Sequence, residues 1–175
     1  MNKLFIMWNL ELELKTRPEY NKLENAIDIP NVIEKVFSYK NDKLIITLNE
    51  TFLYLPLPYV FSDLLDDFLL IINDLLNSEN GSGTYGFSQN NVFDADWILT
   101  WEQKQIDINI QWRIYPNNIK QAPSSTLSIN KVEFLSSWKK IFTCLSEYID
   151  FKHIVLDYDD ENLIINRLLS EDIQL

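Results

Sequence analysis

Residues Trp97–Tyr115 read WILTWEQKQIDINIQWRIY and hold three of the chain's five tryptophans. In the second half Ile106, Ile108, Ile110, Trp112 and Ile114 alternate with Asp107, Asn109, Gln111, Arg113 and Tyr115. In the first half Trp97, Leu99 and Trp101 alternate with Ile98, Thr100 and Glu102. A period of two is the mark of a strand with one buried face, so the stretch predicts a central β-hairpin. Its apolar positions are odd in the first strand and even in the second. Facing residues must then sum to an odd number, because a slip by one residue would turn every apolar side chain to solvent. A sum of 207 pairs Trp101 with Ile106, Leu99 with Ile108 and Trp97 with Ile110, and sets Asp94 opposite Arg113. A sum of 209 would set Glu102 against Asp107, which like charge disfavours. The predicted register is 207, although its turn, Gln103-Lys104, lacks the glycine or Asn-Gly that tight turns favour.

The rest of the chain supplies partners for this hairpin. Leu4, Ile6, Trp8, Leu10, Leu12 and Leu14 alternate with polar residues and predict a first strand, which Phe5 and Met7 make apolar on both faces at its start. Pro30 suits the opening turn of a short helix carrying Val32, Ile33, Val36 and Phe37. Lys43 to Leu48 predict a second strand that continues or bends through Phe52 to Leu57, where Pro56 and Pro58 confine it to an edge. Ser62 is the expected N-cap of a helix whose stripe is Phe61, Leu64, Leu65, Phe68, Ile72, Leu75 and Leu76. Leu69, Leu70 and Ile71 widen that stripe and predict neighbours on more than one side. Asn77 to Asn91 reads as a loop, and Pro116 to Ser128 as a turn-rich crossover. Asn130 followed by Glu133 opens a further helix through Ile149. Leu163 to Leu169 predicts a short C-terminal helix after the acidic cluster Asp157 to Glu161. The pattern implies one globular domain over residues 1–175 of the α+β class. Its expected form is a mainly antiparallel sheet of about four strands with two long helices packed on one face.

Composition limits the chemistry. The chain is 46% hydrophobic and 13% aromatic, as in a globular protein, and its formal net charge is −11. Nucleic acid is not an expected partner, since phosphate binding needs a basic footprint. No apolar run approaches the roughly 20 residues of a membrane span, and Leu4 to Trp8 is too short for a secretion signal. With Cys144 as the lone cysteine, no intramolecular disulfide can form. The chain is therefore expected in the cytoplasm, without a membrane partner.

Few catalytic devices survive. Gly81 to Gly86 matches G-x-G-x-x-G by letter, but a helix precedes it and none follows, so it reads as a flexible connection and not a phosphate cradle. Asp157, Asp159 and Glu161 open like a calcium loop, yet the later positions are Asn162 and Leu168, which cannot complete one. His153 is the only histidine, which excludes a histidine-rich zinc site. Cys144 lies beside the apolar face of its helix and reads as a small buried hydrophobe. No metal, cofactor or catalytic residue is assigned. Carboxylate acid–base chemistry remains open, because Asp94 and Asp96 point to one side and Glu102, Asp107 and Arg113 share the polar sheet face. The predicted interaction surface is that face: Asp94, Asp96, Glu102, Asp107, Asn109, Gln111, Arg113 and Tyr115.

In size, charge, α+β layout and the Trp97–Tyr115 hairpin, the whole chain resembles the small acidic immunity proteins of bacterial polymorphic-toxin and contact-inhibition systems. The resemblance implies a non-catalytic protein that binds a cognate toxin, often a basic nuclease, by charge and shape. The alternatives are a small carboxylate-dependent hydrolase and a structural or regulatory homodimeric interaction protein.

Overall fold

Along the chain the elements run β1 (Trp8–Glu13), α1 (Ile29–Val36), β2 (Lys43–Leu48), β3 (Thr51–Pro56), α2 (Ser62–Asn77), β4 (Asn80–Gln89), β5 (Phe93–Glu102), β6 (Gln105–Ile114), β7 (Thr126–Asn130), α3 (Lys131–Ser146) and α4 (Asp160–Ser170). They come from a computed structural model that describes residues 8–15, 28–37, 41–89, 93–116, 125–151 and 160–170. The class is α+β. The strands form two antiparallel sheets, one of four strands in the order β4-β5-β6-β7 and one of three in the order β1-β2-β3. The expected single sheet is divided: β1 and β2 pair with β3 apart from the hairpin, whose own neighbours are β4 and β7.

The β5–β6 hairpin adopts the predicted register, with Trp101 facing Ile106, Leu99 facing Ile108 and Trp97 facing Ile110. Its turn is closed without glycine. Gln103 takes a φ of 50°, a left-handed conformation that is costly for a side-chain-bearing residue. Neighbours hold it there: the Gln103 amide donates to Asn80 Oδ1 at 3.0 Å, and the Lys131 amide donates to the Lys104 carbonyl at 2.7 Å.

At the other end the ladder departs from the prediction. Ala95 still faces Trp112, but Asp94 faces Ile114, so a bulge absorbs one residue of β6 and Arg113 does not sit opposite Asp94. Sequence alternation runs unbroken through Trp112 and Ile114 and carries no sign of the extra residue.

Three other expectations change. The glycine-bearing stretch is a strand, β4, fully paired with β5 from Asn80↔Glu102 to Gln89↔Phe93. Two of its glycines make room for rings, since a Cβ at Gly81 would overlap the Trp101 indole and one at Gly83 would overlap the Tyr85 ring. The chain after β2 turns back through Asn49, at φ 55°, and pairs as β3. Asparagine tolerates that conformation, and β3 lies at an edge as its proline requires. Finally, Thr126 to Ser128 belongs to β7 instead of the crossover.

Ser62 is not an N-cap. It has helical angles (φ −57°, ψ −45°), and its amide donates to the Leu57 carbonyl through the wide turn Leu57–Phe61 that leads into α2. Its hydroxyl instead donates to Glu34 Oε1 at 3.0 Å. Asn130 does cap α3, its Oδ1 accepting from the Val132 amide at 2.8 Å. That helix ends at Ser146, short of the expected Ile149, which is nevertheless buried. Leu70 is exposed, whereas Leu69 and Ile71 are buried between α2 and its neighbours.

The long helices α2 and α3 pack on the inner face of the four-stranded sheet, as expected. Phe68 of α2 is the hub: its ring centroid lies 4.7 Å from Phe87 of β4, 6.3 Å from Trp97 of β5 and 4.7 Å from Trp138 of α3. The three-stranded sheet joins the same cluster through Trp8, stacked at 4.9 Å on Phe134 of α3.

Cys144 is exposed, correcting its expected burial, because Ile141, Phe142 and Leu145 already fill the inward face of α3. Phe5, Met7, His153, Asp157 and Asp159 lie outside the described residues. Among the described residues, no helix is long and apolar enough to cross a membrane.

Candidate functional site

With the helices on its inner face, the four-stranded sheet turns its polar positions outward. Pairing fixes which side chains line up across it. One row is Ser82, Thr100, Asp107 and Ser128, and the next is Thr84, Ile98, Asn109 and Thr126. Neighbouring strands are about 4.8 Å apart, so the first row is a line of short polar groups at that interval, and the second is the same except for the apolar Ile98. Thr100, Glu102, Asp107, Asn109, Gln111, Arg113 and Tyr115 are all exposed, and Asp94 and Asp96 are half-buried.

The predicted interaction residues fall into two groups joined by Asn109 and Gln111. At the bulged end, Arg113 Nη2 reaches Asp94 Oδ1 at 2.5 Å while its Nη1 contacts Asp96 Oδ2. The bulge explains this fork. As the extra residue, Arg113 lies beside both carboxylates instead of facing one. The guanidinium holds the Asp94 carboxyl below its usual range, and the two carboxylates in turn raise Arg113. Tyr115 lies just beyond β6 with its ring 6.5 Å from Trp112.

At the turn end, Thr100, Trp101, Glu102, Gln103, Gln105 and Asp107 line an open depression of about 340 Å³. The register sets Glu102 opposite Gln105 and Thr100 opposite Asp107, so the two carboxylates lie diagonally. The Ser128 hydroxyl donates to Asp107 Oδ1 and accepts from Gln105 Nε2, the latter at 2.7 Å. Such a surface offers hydrogen-bond acceptors and negative charge at one end and a neutralised fork at the other. A basic side chain could pair with Glu102 and Asp107; the fork is already internally paired.

Sequence reasoning missed Ser82, Thr84, Thr126 and Ser128, which widen the face by two strands. A signal existed in β4: Tyr85 and Phe87 alternate with Thr84, Gly86 and Ser88. The glycines obscured it.

A different acidic group lies among the helices. Glu161, in the first turn of α4, is half-buried, and its Oε2 accepts from the Ile29 amide at 3.4 Å. Burial, together with the carboxylates of Asp66 and Asp28, pushes its carboxyl up to about 7, against the pull of that amide. Among the described residues no three histidine, cysteine or acidic side chains are placed to hold a metal ion. The fold and face define an α+β protein with an open polar sheet surface. No family model, curated protein or solved structure matches the chain.

Proposed function

We propose that this chain is a non-catalytic protein-binding module, an immunity protein that neutralises a basic cognate toxin through the outer face of its four-stranded sheet. The observation that carries the reading is that face: a broad, exposed field of acids, amides and hydroxyls on a rigid support. The net charge of −11 favours encounter with a basic partner, and fixed rows of acceptors supply specificity once it has docked. Glu102 and Asp107 are the acids assigned to the partner's cations.

A hydrolase is the second reading, favoured by one observation, the shared depression lined by Glu102 and Asp107. Against it, Asp107 is already engaged by Ser128.

The test uses a basic toxin domain encoded beside this chain, titrated calorimetrically and co-expressed for growth rescue. Wild type should bind, more weakly as salt rises. The double variant Glu102→Lys, Asp107→Lys should lose at least about tenfold in affinity, and with it rescue, while keeping its circular dichroism. Undiminished binding by the double variant would overturn the assignment of the face. Hydrolytic turnover lost in Glu102→Gln would favour the second reading.

A further inference from the structure

We propose that β4 is a self-pairing edge: two copies of the chain associate by antiparallel addition of β4 to β4, joining their four-stranded sheets into one of eight strands. On one side all ten residues of β4 pair with β5 without a register shift. On the other side no strand pairs with it among the described residues. A long flat edge is a template for another strand, and proteins blunt such edges with charge, proline, bulges or brevity. Asn80–Gln89, NGSGTYGFSQ, has no charge, no proline and no bulge.

The other edges are guarded. β1 carries Glu11 and Glu13, the latter ion-paired at 2.5 Å to Lys15 and 3.0 Å to Lys43. β3 ends in Pro56, and β7 is only five residues long.

Charge selects the occupant. A basic partner gains nothing at a neutral strand and finds its complement on the outer face. A second copy, also at −11, is repelled almost everywhere and can approach closely only along an uncharged strip. Ser82, Thr84, Gly86 and Ser88 keep the outer side of that strip small. The inner side is already organised, with Phe87 against Phe68 and the Tyr85 hydroxyl donating to Asp74 Oδ2 at 2.6 Å.

Two-fold symmetry also fixes parity. Outer residues must face outer residues, so facing positions sum to an even number, and the axis passes through Thr84 (168) or Tyr85 (170). Either choice keeps at least nine residues of each strand in the ladder.

Sedimentation equilibrium of the full chain over a wide concentration range tests this. The expected mass rises from 20.7 kDa toward twice that value. Salt should strengthen association, because it screens repulsion between like-charged copies. That sign is opposite to the toxin complex, so the two proposals fail independently. Thr84→Lys should weaken the dimer at least tenfold more than Asn109→Lys, which makes the same charge change away from the edge. A mass of one chain at every concentration, equal effects of the two variants, or a dimer that salt dissociates would each overturn the proposal. So would β4 amides that gain exchange protection only when a basic partner is added.

Discussion

The two faces of the four-stranded sheet share one backbone and divide its work. Inward, Phe87, Trp97, Leu99, Ile106 and Ile108 are buried to within 2% exposure beneath α2 and α3. Outward, the same strands show serine, threonine, asparagine and acids to solvent. Stability is concentrated on the first face, and the second is free to vary in its chemistry. The contrast teaches where a substitution should be read as a folding change and where as a binding change.

The comparison breaks most visibly at Trp97. Trp97→Ala should cost about 3–5 kcal/mol in urea unfolding, because a fully buried ring is lost from beneath Phe68 and Phe87. On the other face, Thr100→Ala should stay within about 0.5 kcal/mol. Equal losses would show that the outer face is also a packed surface.

A sharper version uses two glycines of one strand. Gly83→Val drives a side chain into the Tyr85 ring and should cost about 1–3 kcal/mol by overpacking. Gly86 points outward, where an added Cβ would meet only Asp96 Oδ1 at 3.6 Å, an ordinary contact. Gly86→Ala should therefore stabilise the chain by about 0.5 kcal/mol, through the smaller freedom of its unfolded state. The two midpoints should move in opposite directions.

The contrast extends to acids. Glu161 is raised by burial and by Asp66 and Asp28, so the folded chain holds its proton more tightly than the unfolded chain does. Its stabilising contribution is complete below the ordinary value of 4.5 and is lost as pH climbs through about 7. After allowance for solvent screening the loss is on the order of 1 kcal/mol. Urea midpoints at pH 5 and pH 8 should differ in that direction in wild type and converge in Glu161→Gln. The exposed Arg113 fork should behave otherwise: Arg113→Ala should leave the midpoint unchanged and alter only partner binding.

Much of the inner face could be read from the sequence, because alternation and the exclusion of facing like charges leave one hairpin register. The outer face was only half legible. Its central residues followed from that register, but β4 and β7 did not announce themselves. Glycine at 81 and 83 looks like a loop until the rings of Trp101 and Tyr85 are seen to occupy the missing side-chain space. That fit is a tertiary event, and local propensity carries no trace of it. The bulge at Arg113 was hidden for a related reason, since an extra residue leaves the apolar period of its own strand intact. Ser62 failed as a cap because Phe61 before it already has helical angles (φ −69°, ψ −41°), so the helical path is under way when the chain reaches Ser62. Cys144 failed because its place between Ile141 and Tyr148 brought it near the apolar stripe of α3 without putting it inside.

The turn at Gln103 makes the hairpin depend on its surroundings. A hairpin closed by Asn-Gly can form alone, since its turn is favourable from the start. Here the left-handed residue is steadied by Asn80, which belongs to the strand before the hairpin, and the next residue, Lys104, is held by Lys131, which follows the strand after it. The turn is thus a keystone, held in place by what leans on it. Closure of the hairpin therefore draws on contacts from outside it, from β4 and from the start of α3.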